Sequence, residues 1–250
     1  MYDSKTSKIC VVIPTYNNAG TLRDVVERSL QFCPDVIVVN DGCTDTSAEI
    51  LSSLGEKITV VDYEKNRGKG YALKQGFKKA KELGFEYAIT IDSDGQHFPE
   101  DILLFINALK HHPDALIVGS RNLNEENMPG KNTFANKFSN FWFKVQTGVD
   151  LPDTQTGYRL YPLTNLPNLR FLTSRYEAEL ELLVCAAWRR TDLIPIKINV
   201  FYPKAEERVT HFRPFWDFFR ISVLNTFLCM LAIVYGLPSR AIRRARRRHE

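Results

Sequence analysis

Short apolar runs alternate with longer segments of helical spacing along the first half of the chain, and this alternation constrains the fold more than any other feature. Runs of β-branched and other apolar residues predict strands at 9–13, 36–39, 58–62, 87–91 and 115–118. Apolar residues three and four apart predict helices at 21–32, 46–54, 69–83 and 100–109. Such alternation indicates an α/β fold with a mostly parallel sheet flanked by helices. Ligands are then expected at the carboxyl ends of the strands.

Composition and charge exclude several classes of protein. The chain has 250 residues, 44% of them hydrophobic and 25% charged, which is typical of a globular protein with a sizeable core. Its net charge is +4, but residues 240–250 alone carry +5 through six arginines and one glutamate, so residues 1–239 carry −1. A nucleic-acid binder would be expected to have a basic face across the fold, so we expect no nucleic-acid partner.

The five cysteines are odd in number, scattered, and without a Cys-x-x-Cys spacing, which predicts a reducing compartment and no structural zinc. The polar N-terminus lacks the features of a secretory signal, so we expect the protein in the cytoplasm.

Two aspartates directly follow the strand predicted at 87–91. Asp92 and Asp94 are separated by one small residue, which places both carboxylates on the same side of the strand's extension. Hard cations such as Mg²⁺ and Mn²⁺ bind one or two carboxylates together with substrate phosphates. Taken alone, the segment is also compatible with an ordinary polar turn.

Polar residues also follow the first two predicted strands. Pro14-Thr15-Tyr16-Asn17 comes after the first, and Asp41 comes at the end of the second. The Asn66–Gly70 segment adds flexible backbone and the positive charges of Arg67 and Lys69, which suit a nucleotide. Neither the dinucleotide motif Gly-x-Gly-x-x-Gly nor a P-loop sequence occurs, which disfavours a Rossmann dehydrogenase and a P-loop NTPase.

Four ordered motifs together resemble family 2 glycosyltransferases, and most closely the dolichyl-phosphate mannosyltransferase-like, or polyprenyl-phosphate glycosyltransferase, branch. They are the segments 12–17, 39–45, 66–70 and 92–97, and the similarity continues through 118–121 and 153–159. The resemblance implies a GT-A fold, which is Rossmann-like, an inverting reaction, a nucleotide-diphosphate sugar as donor, and Mg²⁺ or Mn²⁺ as cofactor. The remaining alternatives are a glycan or other hydroxyl acceptor, a sugar nucleotidyltransferase, and a non-catalytic nucleotide-sugar-binding module.

The resemblance also implies roles for individual residues. The residues expected to bind the donor are Pro14, Thr15, Tyr16, Asn17, Asp41, Arg67, Lys69 and Asp92. The expected metal ligands are Asp94 and Gln96, and the expected catalytic residues are Asp94, Asp92 and Asp153. The residues expected to contact the acceptor are Arg121, Lys137, Thr156 and Arg159.

The acceptor decides whether a base is needed. A lipid phosphate is already an anion at neutral pH and needs positioning more than deprotonation. An alcohol needs a base to remove its proton, and Asp153 is the candidate for that role.

The C-terminal part of the sequence is expected to associate with a membrane. We expect a catalytic domain over residues 1–212 and a membrane-associating segment over 213–250, in which aromatic residues precede an apolar run at 221–237 and an arginine-rich tail. A single crossing would separate the arginines from a cytosolic catalytic domain, so an interfacial or re-entrant helix at the cytoplasmic face of the membrane fits better. A core or oligomer-interface helix is the alternative, and the oligomeric state is left open.

Overall fold

A seven-stranded sheet organises the protein. The computed structural model describes residues 8–121, 130–164, 173–189, 191–201, 214–236 and 238. The strands are β1 (Ile9–Thr15), β2 (Val36–Asp41), β3 (Thr59–Tyr63), β4 (Tyr87–Thr90), β5 (Leu116–Ser120), β6 (Arg159–Pro162) and β7 (Leu193–Lys197). Their order in the sheet is β3-β2-β1-β4-β6-β5-β7, and only β6 runs antiparallel to its neighbours among the described strands.

Helices cover both faces of the sheet. They are α1 (Ala19–Phe32), α2 (Ser47–Leu54), α3 (Lys69–Glu82), α4 (Ile102–His111), α5 (Gly130–Thr147), α6 (Glu177–Trp188) and α7 (Pro214–Leu231). A π-helical segment, Ala232–Gly236, continues α7. The apolar sides of α1, α2 and α4 form one core with the sheet, while α3, α5, α6 and α7 form the other. Every residue of β1 and β2 is buried, which explains their unbroken apolar runs.

The predicted fold class is confirmed, and each predicted element of the first half is present within a few residues of its expected ends. Strand β6 was not predicted. It consists of four residues that begin on Arg159, so it lacks the apolar run by which the other strands are recognised. Tertiary context makes it a strand, because β6 fills the gap between β4 and β5 with hydrogen bonds on both sides.

The strand order brings three of the predicted strand-end segments together. β1 pairs in parallel with β2 on one side and with β4 on the other. The residues after β1, β2 and β4 therefore emerge at the same edge of the sheet.

Candidate active site

A cavity of about 710 Å³ opens where β1, β2 and β4 end. Its size is typical of a small-molecule site. The walls include all the residues that the sequence predicted for donor and metal binding except Arg67, namely Pro14, Thr15, Tyr16, Asn17, Asp41, Lys69, Asp92, Asp94 and Gln96. The structure thus brings these residues together, while their individual roles stay predictions.

The loop after β2 is fastened to the loop before α3 by Asp41. This carboxylate is buried and accepts hydrogen bonds from the backbone N–H groups of Arg67 (2.7 Å) and Gly68 (2.9 Å) and from Asn66 Nδ2 (3.1 Å). Gly68 has a φ of +95°, and an added Cβ would lie 2.7 Å from the carbonyl oxygen of Ser174. Asp41 and Gly68 therefore fix the path of the chain into α3.

Arg67 does not line the cavity. Its guanidinium lies over the ring of Tyr71, 4.1 Å from the centroid, and donates a hydrogen bond to the Tyr71 hydroxyl. The expected donor contact of Arg67 therefore stays a prediction.

The loop after β1 is held in an uncommon backbone conformation by its own side chains. Asn17 has a φ of +52°, its Oδ1 accepts from the Thr44 backbone N–H, and its Nδ2 donates to Thr44 Oγ1. Thr15 Oγ1 is buried in the cavity wall without a hydrogen-bond partner in the structure. A buried polar atom without a partner is unusual, so Thr15 is suited to bind a ligand in the cavity.

A buried ion-pair cluster lies at the floor of the cavity. Lys69 Nζ is 2.7 Å from Asp92 Oδ1 and 2.9 Å from Glu179 Oε2, and the side chains of Lys69 and Glu179 are 15% and 9% exposed. Burial alone would lower the pKa of Lys69, but the two carboxylates outweigh it and raise this pKa above its usual range. Burial would likewise raise the pKa of Asp92, but the charge of Lys69 lowers it. Asp92 is therefore held as an anion beside a cation.

Gly157 leaves room for this cluster. An added Cβ would lie 2.6 Å from Lys69 Nζ and 2.8 Å from Asp92 Oδ2, which is too close for a real side chain. The carbonyl of Gly157 accepts a hydrogen bond from Thr90 Oγ1 at 2.6 Å, which holds the 153–157 segment against the end of β4. A side chain at position 157 would therefore force the ends of Lys69 and Asp92 to move.

Asp94 is the second carboxylate after β4, and its surroundings differ from those of Asp92. Burial, followed by the charge of Asp92, raises the pKa of Asp94 to about 6. Its Oδ1 accepts from the Gln96 backbone N–H at 3.0 Å. Between the two aspartates, the hydroxyl of Ser93 donates to the Pro14 carbonyl, and the Ser93 carbonyl accepts from Thr21 Oγ1. These contacts tie the Asp92–Asp94 turn to the start of α1.

The donor set at this turn fits a hard divalent cation. Asp92, Asp94 and Gln96 offer only carboxylate and amide oxygens, which Mg²⁺ and Mn²⁺ prefer. Among the residues that the structure describes, no group of three or more His, Cys, Asp or Glu side chains could hold a metal by itself. These residues would therefore suit a metal that takes one or two carboxylates from the protein and its remaining ligands from substrate phosphates.

The family follows from the sequence around this cavity. Residues 10–162 match the family model described as Glycosyl transferase family 2. The chain belongs to glycosyl transferase family 2. It is therefore a glycosyltransferase, and the matched residues contain the whole cavity wall except Arg175 and Tyr176.

Family-2 relatives of the chain act on lipid-linked substrates. UDP-N-acetylglucosamine–dolichyl-phosphate N-acetylglucosaminyltransferase of Methanococcus voltae is 30% identical over 215 residues, which cover 78% of this chain and 86% of the relative. Polyprenol monophosphomannose synthase of Mycolicibacterium smegmatis is 30% identical over 165 residues, which cover 62% of each chain. The resemblance to the polyprenyl-phosphate branch is thereby confirmed.

A solved structure confirms the GT-A-like fold. Glucosyl-3-phosphoglycerate synthase from Mycobacterium tuberculosis, in complex with Mn²⁺, UDP and glucosyl-3-phosphoglycerate, matches with a TM-score of 0.64 at 17% identity. The match covers 92% of this chain and 81% of that one.

The expected base Asp153 lies outside the cavity wall and is fully buried. Arg121 binds it with two bonds, Nε to Oδ2 at 2.6 Å and Nη2 to Oδ1 at 3.0 Å, and Asn136 Nδ2 donates to Oδ1 at 2.7 Å. Burial would raise the pKa of Asp153, but Arg121 outweighs it and lowers this pKa. A carboxylate with these partners is suited to hold Arg121 and α5 in place, and it is poorly suited to accept a proton.

The four residues expected to contact the acceptor are dispersed. Thr156 is buried, and its hydroxyl accepts from the Tyr158 backbone N–H. Arg159 is also fully buried and donates to the carbonyl oxygens of Thr154 and Glu179. Lys137 lies on the exposed side of α5. Neither Arg121 nor these three residues line the cavity, so their contact with an acceptor stays a prediction.

Sequence reasoning missed three residues at the site that come from the start of α6 or just before it. Arg175 and Tyr176 line the cavity, and Glu179 pairs with Lys69. One signal was available: Glu177, Glu179 and Glu181 interrupt an otherwise apolar helix, and all three are buried. Buried carboxylates are rare without a partner, so the pattern indicates contacts with cations or hydrogen-bond donors.

Proposed function

We propose that the protein is an inverting, metal-dependent glycosyltransferase that moves a sugar from a nucleotide-diphosphate sugar to a lipid-linked acceptor of the polyprenyl-phosphate kind. The observation that carries the proposal is the cavity at the ends of β1, β2 and β4, in which Asp92 and Asp94 face a nucleotide-sized space beside Lys69. The named relatives that use dolichyl phosphate and polyprenol phosphate support the class of acceptor.

The reaction needs only positioning and charge stabilisation from the chain. An oxygen of the acceptor phosphate attacks the anomeric carbon, the bond to the donor diphosphate breaks, and the nucleotide diphosphate leaves with the electron pair. Asp94, with Asp92 and Gln96 near it, would hold Mg²⁺ or Mn²⁺, which would supply positive charge to offset that on the leaving diphosphate. Lys69 is held by Asp92 and Glu179 and adds a fixed positive charge at the cavity floor.

A phosphate acceptor agrees with the state of Asp153. Because a lipid phosphate is already ionised, the reaction needs no general base. Asp153 is engaged by Arg121 and Asn136 and has a lowered pKa, so it would be a weak base for a hydroxyl acceptor.

With a membrane-bound acceptor, the protein would act at the cytoplasmic face of a membrane, where nucleotide sugars are available. One described segment, Phe219–Gly236, has the length and apolar character needed to cross a bilayer, with a mean hydropathy of 1.6. Core helices meet the same criterion, so this segment alone does not decide between crossing and lying on the membrane.

A transfer assay tests the proposal. Purified protein is supplied with a panel of nucleotide sugars, Mg²⁺ or Mn²⁺, and either polyprenyl phosphate or a matched polyprenol. We expect sugar transfer to the phosphate, abolished by Asp94→Asn and retained by Asp24→Asn, which changes an exposed aspartate on α1. Transfer that depends on the alcohol would overturn the acceptor class, and activity of Asp94→Asn equal to the wild type would overturn the metal site.

A further inference from the structure

An outer apolar face lies on α5 and α7. Among the described residues, 16 large hydrophobic side chains are exposed, and 11 of them belong to α5 or to α7 and its π-helical continuation. The α7 stripe consists of Trp216, Phe219, Val223, Phe227, Met230 and Val234. The α5 stripe consists of Phe138, Phe141 and Val145. Concentration on two neighbouring helices indicates a surface that binds something, since scattered exposed apolar residues are ordinary.

Both stripes follow helical spacing and lie opposite a buried side. Steps of three and four residues keep the α7 stripe on one side of the helix over about 27 Å. Leu224 and Leu228 of α7 and Ala232 of its π-helical continuation are buried and belong to the core that α3, α5 and α6 share. On α5, Asn136, Ser139 and Phe143 are buried on the side away from the stripe. The helix α7 is therefore apolar on two sides, one facing the core and one facing solvent, whereas α5 carries its exposed apolar stripe opposite a buried side that is mostly polar.

The inner contacts of α7 argue against a membrane crossing. Gln146 of α5 donates to Asn225 Oδ1 at 2.9 Å, and the indole N–H of Trp188 donates to the Gln146 carbonyl. Gly236 lies against the Trp188 indole, so closely that an added Cβ would be 2.5 Å from its nitrogen. To cross a bilayer, α7 would have to break these contacts and leave the core. We therefore expect α7 to remain packed on the protein, with only its outer side available for contact with a membrane.

The inner side of α5 leads to the segment that was expected to contact the acceptor. Asn136 donates to Asp153, the hydroxyls of Ser139 and Thr154 are 2.7 Å apart, and Asn140 accepts from the Thr154 backbone N–H. The same 153–157 segment ends at Gly157, against Lys69 and Asp92. One helix thus lies between the outer apolar face and the cavity.

We propose that the α5 stripe and the α7 stripe together dock on the surface of a lipid bilayer, with both helices lying in the plane of the membrane. The composition suits that occupant, because aromatic rings favour the headgroup region and cationic side chains favour anionic lipid. Arg220 and Lys137 are exposed on the two helices, and the sequence after α7 carries the six arginines of residues 240–250. The docking deepens the proposed function, since it would bring a membrane-embedded acceptor to the side of the protein on which α5 contacts the 153–157 segment.

Vesicle flotation with the full chain and no substrate tests the docking. We expect the wild type to bind vesicles of phosphatidylcholine with phosphatidylglycerol and to stay bound when the salt concentration is raised, because burial of apolar side chains is not screened. The double variant Phe141→Ser/Phe227→Ser should bind at least roughly tenfold more weakly, because each change removes a phenylalanine side chain that the docked protein would bury in the lipid. The matched control is Leu103→Ser/Leu104→Ser, which changes two exposed leucines on α4 and should bind like the wild type.

Three outcomes would overturn the docking. They are unchanged binding by the stripe variant, complete release of the wild type by salt alone, and a stripe-dependent dimer in sedimentation that does not bind vesicles. The last result would assign the face to a second copy of the chain.

Transfer to a short-chain, water-soluble polyprenyl phosphate separates this proposal from the proposed function. The stripe variant should keep that activity and lose only transfer to acceptor in vesicles. The docking requires that the stripe variant lose vesicle binding and still transfer sugar to the soluble acceptor. If the wild type itself does not transfer sugar to the soluble acceptor, that result contradicts the proposed function and not the docking.

Discussion

At the scale of single residues, the site is organised by charges held close together. Asp92 and Glu179 flank Lys69, so the cation is fixed in position by two anions that come from distant parts of the chain. A buried ion pair adds little net stability to the fold, because the loss of hydration offsets much of the attraction. Its main effect is to hold the charged groups in place. Removing one partner leaves the other charge buried without compensation, so it should both displace the remaining group and destabilise the fold.

Glu179→Gln tests the positioning of Lys69. Without the second carboxylate, Lys69 should move toward Asp92, and we expect kcat to fall about tenfold, which corresponds to about 1.4 kcal/mol of transition-state stabilisation. The measurement is kcat and the donor KM from initial rates. Glu181→Gln is the matched control, because Glu181 is buried on the same helix but accepts from Thr173 instead of contacting Lys69. Equal losses of kcat in both variants would indicate a general structural effect and contradict the positioning role.

Asp153→Asn tests the ion pair with Arg121. Because the folded state lowers the pKa of Asp153, the charged form adds stability at pH values above about 4, and this stability is lost as the pH falls through the lowered pKa. We expect the variant to be about 3 kcal/mol less stable at neutral pH, and the difference to shrink in acid. Urea unfolding at several pH values measures it.

Asp150→Asn is the control for that experiment. Asp150 lies in the same segment but is exposed with its partner Lys144, so its loss should change stability by less than about 1 kcal/mol at any pH. A destabilisation by Asp153→Asn that does not depend on pH would contradict the assignment of the effect to the charge.

At the scale of elements, the 153–157 segment packs closely against the end of β4. This segment connects α5 to β6, and Gly157 is the point at which it meets the ion-pair cluster. The segment thus links α5 to Lys69 and Asp92, the two residues of the cluster that are expected to bind the donor.

Gly157→Ala tests this fit. The new methyl group would push Lys69 and Asp92 apart, so we expect activity to fall at least tenfold while the circular dichroism spectrum stays that of the folded protein. Gly20→Ala is the matched control. Gly20 lies in α1 with nothing within 4 Å of an added Cβ, so the change should add about 0.5–1 kcal/mol of stability without affecting transfer. Full activity of Gly157→Ala would show that the cluster tolerates a different spacing.

At the scale of the whole molecule, local sequence patterns predicted the features that depend on local sequence, namely the secondary-structure elements and the residues at the strand ends. The strands and helices of the first half and the residues that end β1, β2 and β4 are recognisable because each depends on periodicity or on a short run of polar residues. The convergence of those residues followed from the rule for parallel sheets.

The rest depends on contacts between distant residues. Glu179 reaches Lys69 across 110 positions, and Arg159 is buried because it bonds Thr154 and Glu179, which no local pattern encodes. The same holds for Asp153, whose carboxylate could be interpreted as a base from the sequence but is occupied by Arg121 and Asn136 in the fold. Residues of one chemical type took different roles according to their partners.

The central claim is that the Asp92–Asp94 turn binds a nucleoside diphosphate together with a divalent metal. Calorimetric titration of UDP and GDP in the presence and absence of Mn²⁺ measures this directly for the wild type, Asp94→Asn and the control Asp24→Asn. We expect the wild type and the control to bind one of the two nucleotides at least tenfold more tightly with Mn²⁺, and Asp94→Asn to lose that gain, because one carboxylate ligand of the metal is gone. Metal-dependent binding that is the same in Asp94→Asn as in the wild type would contradict the claim.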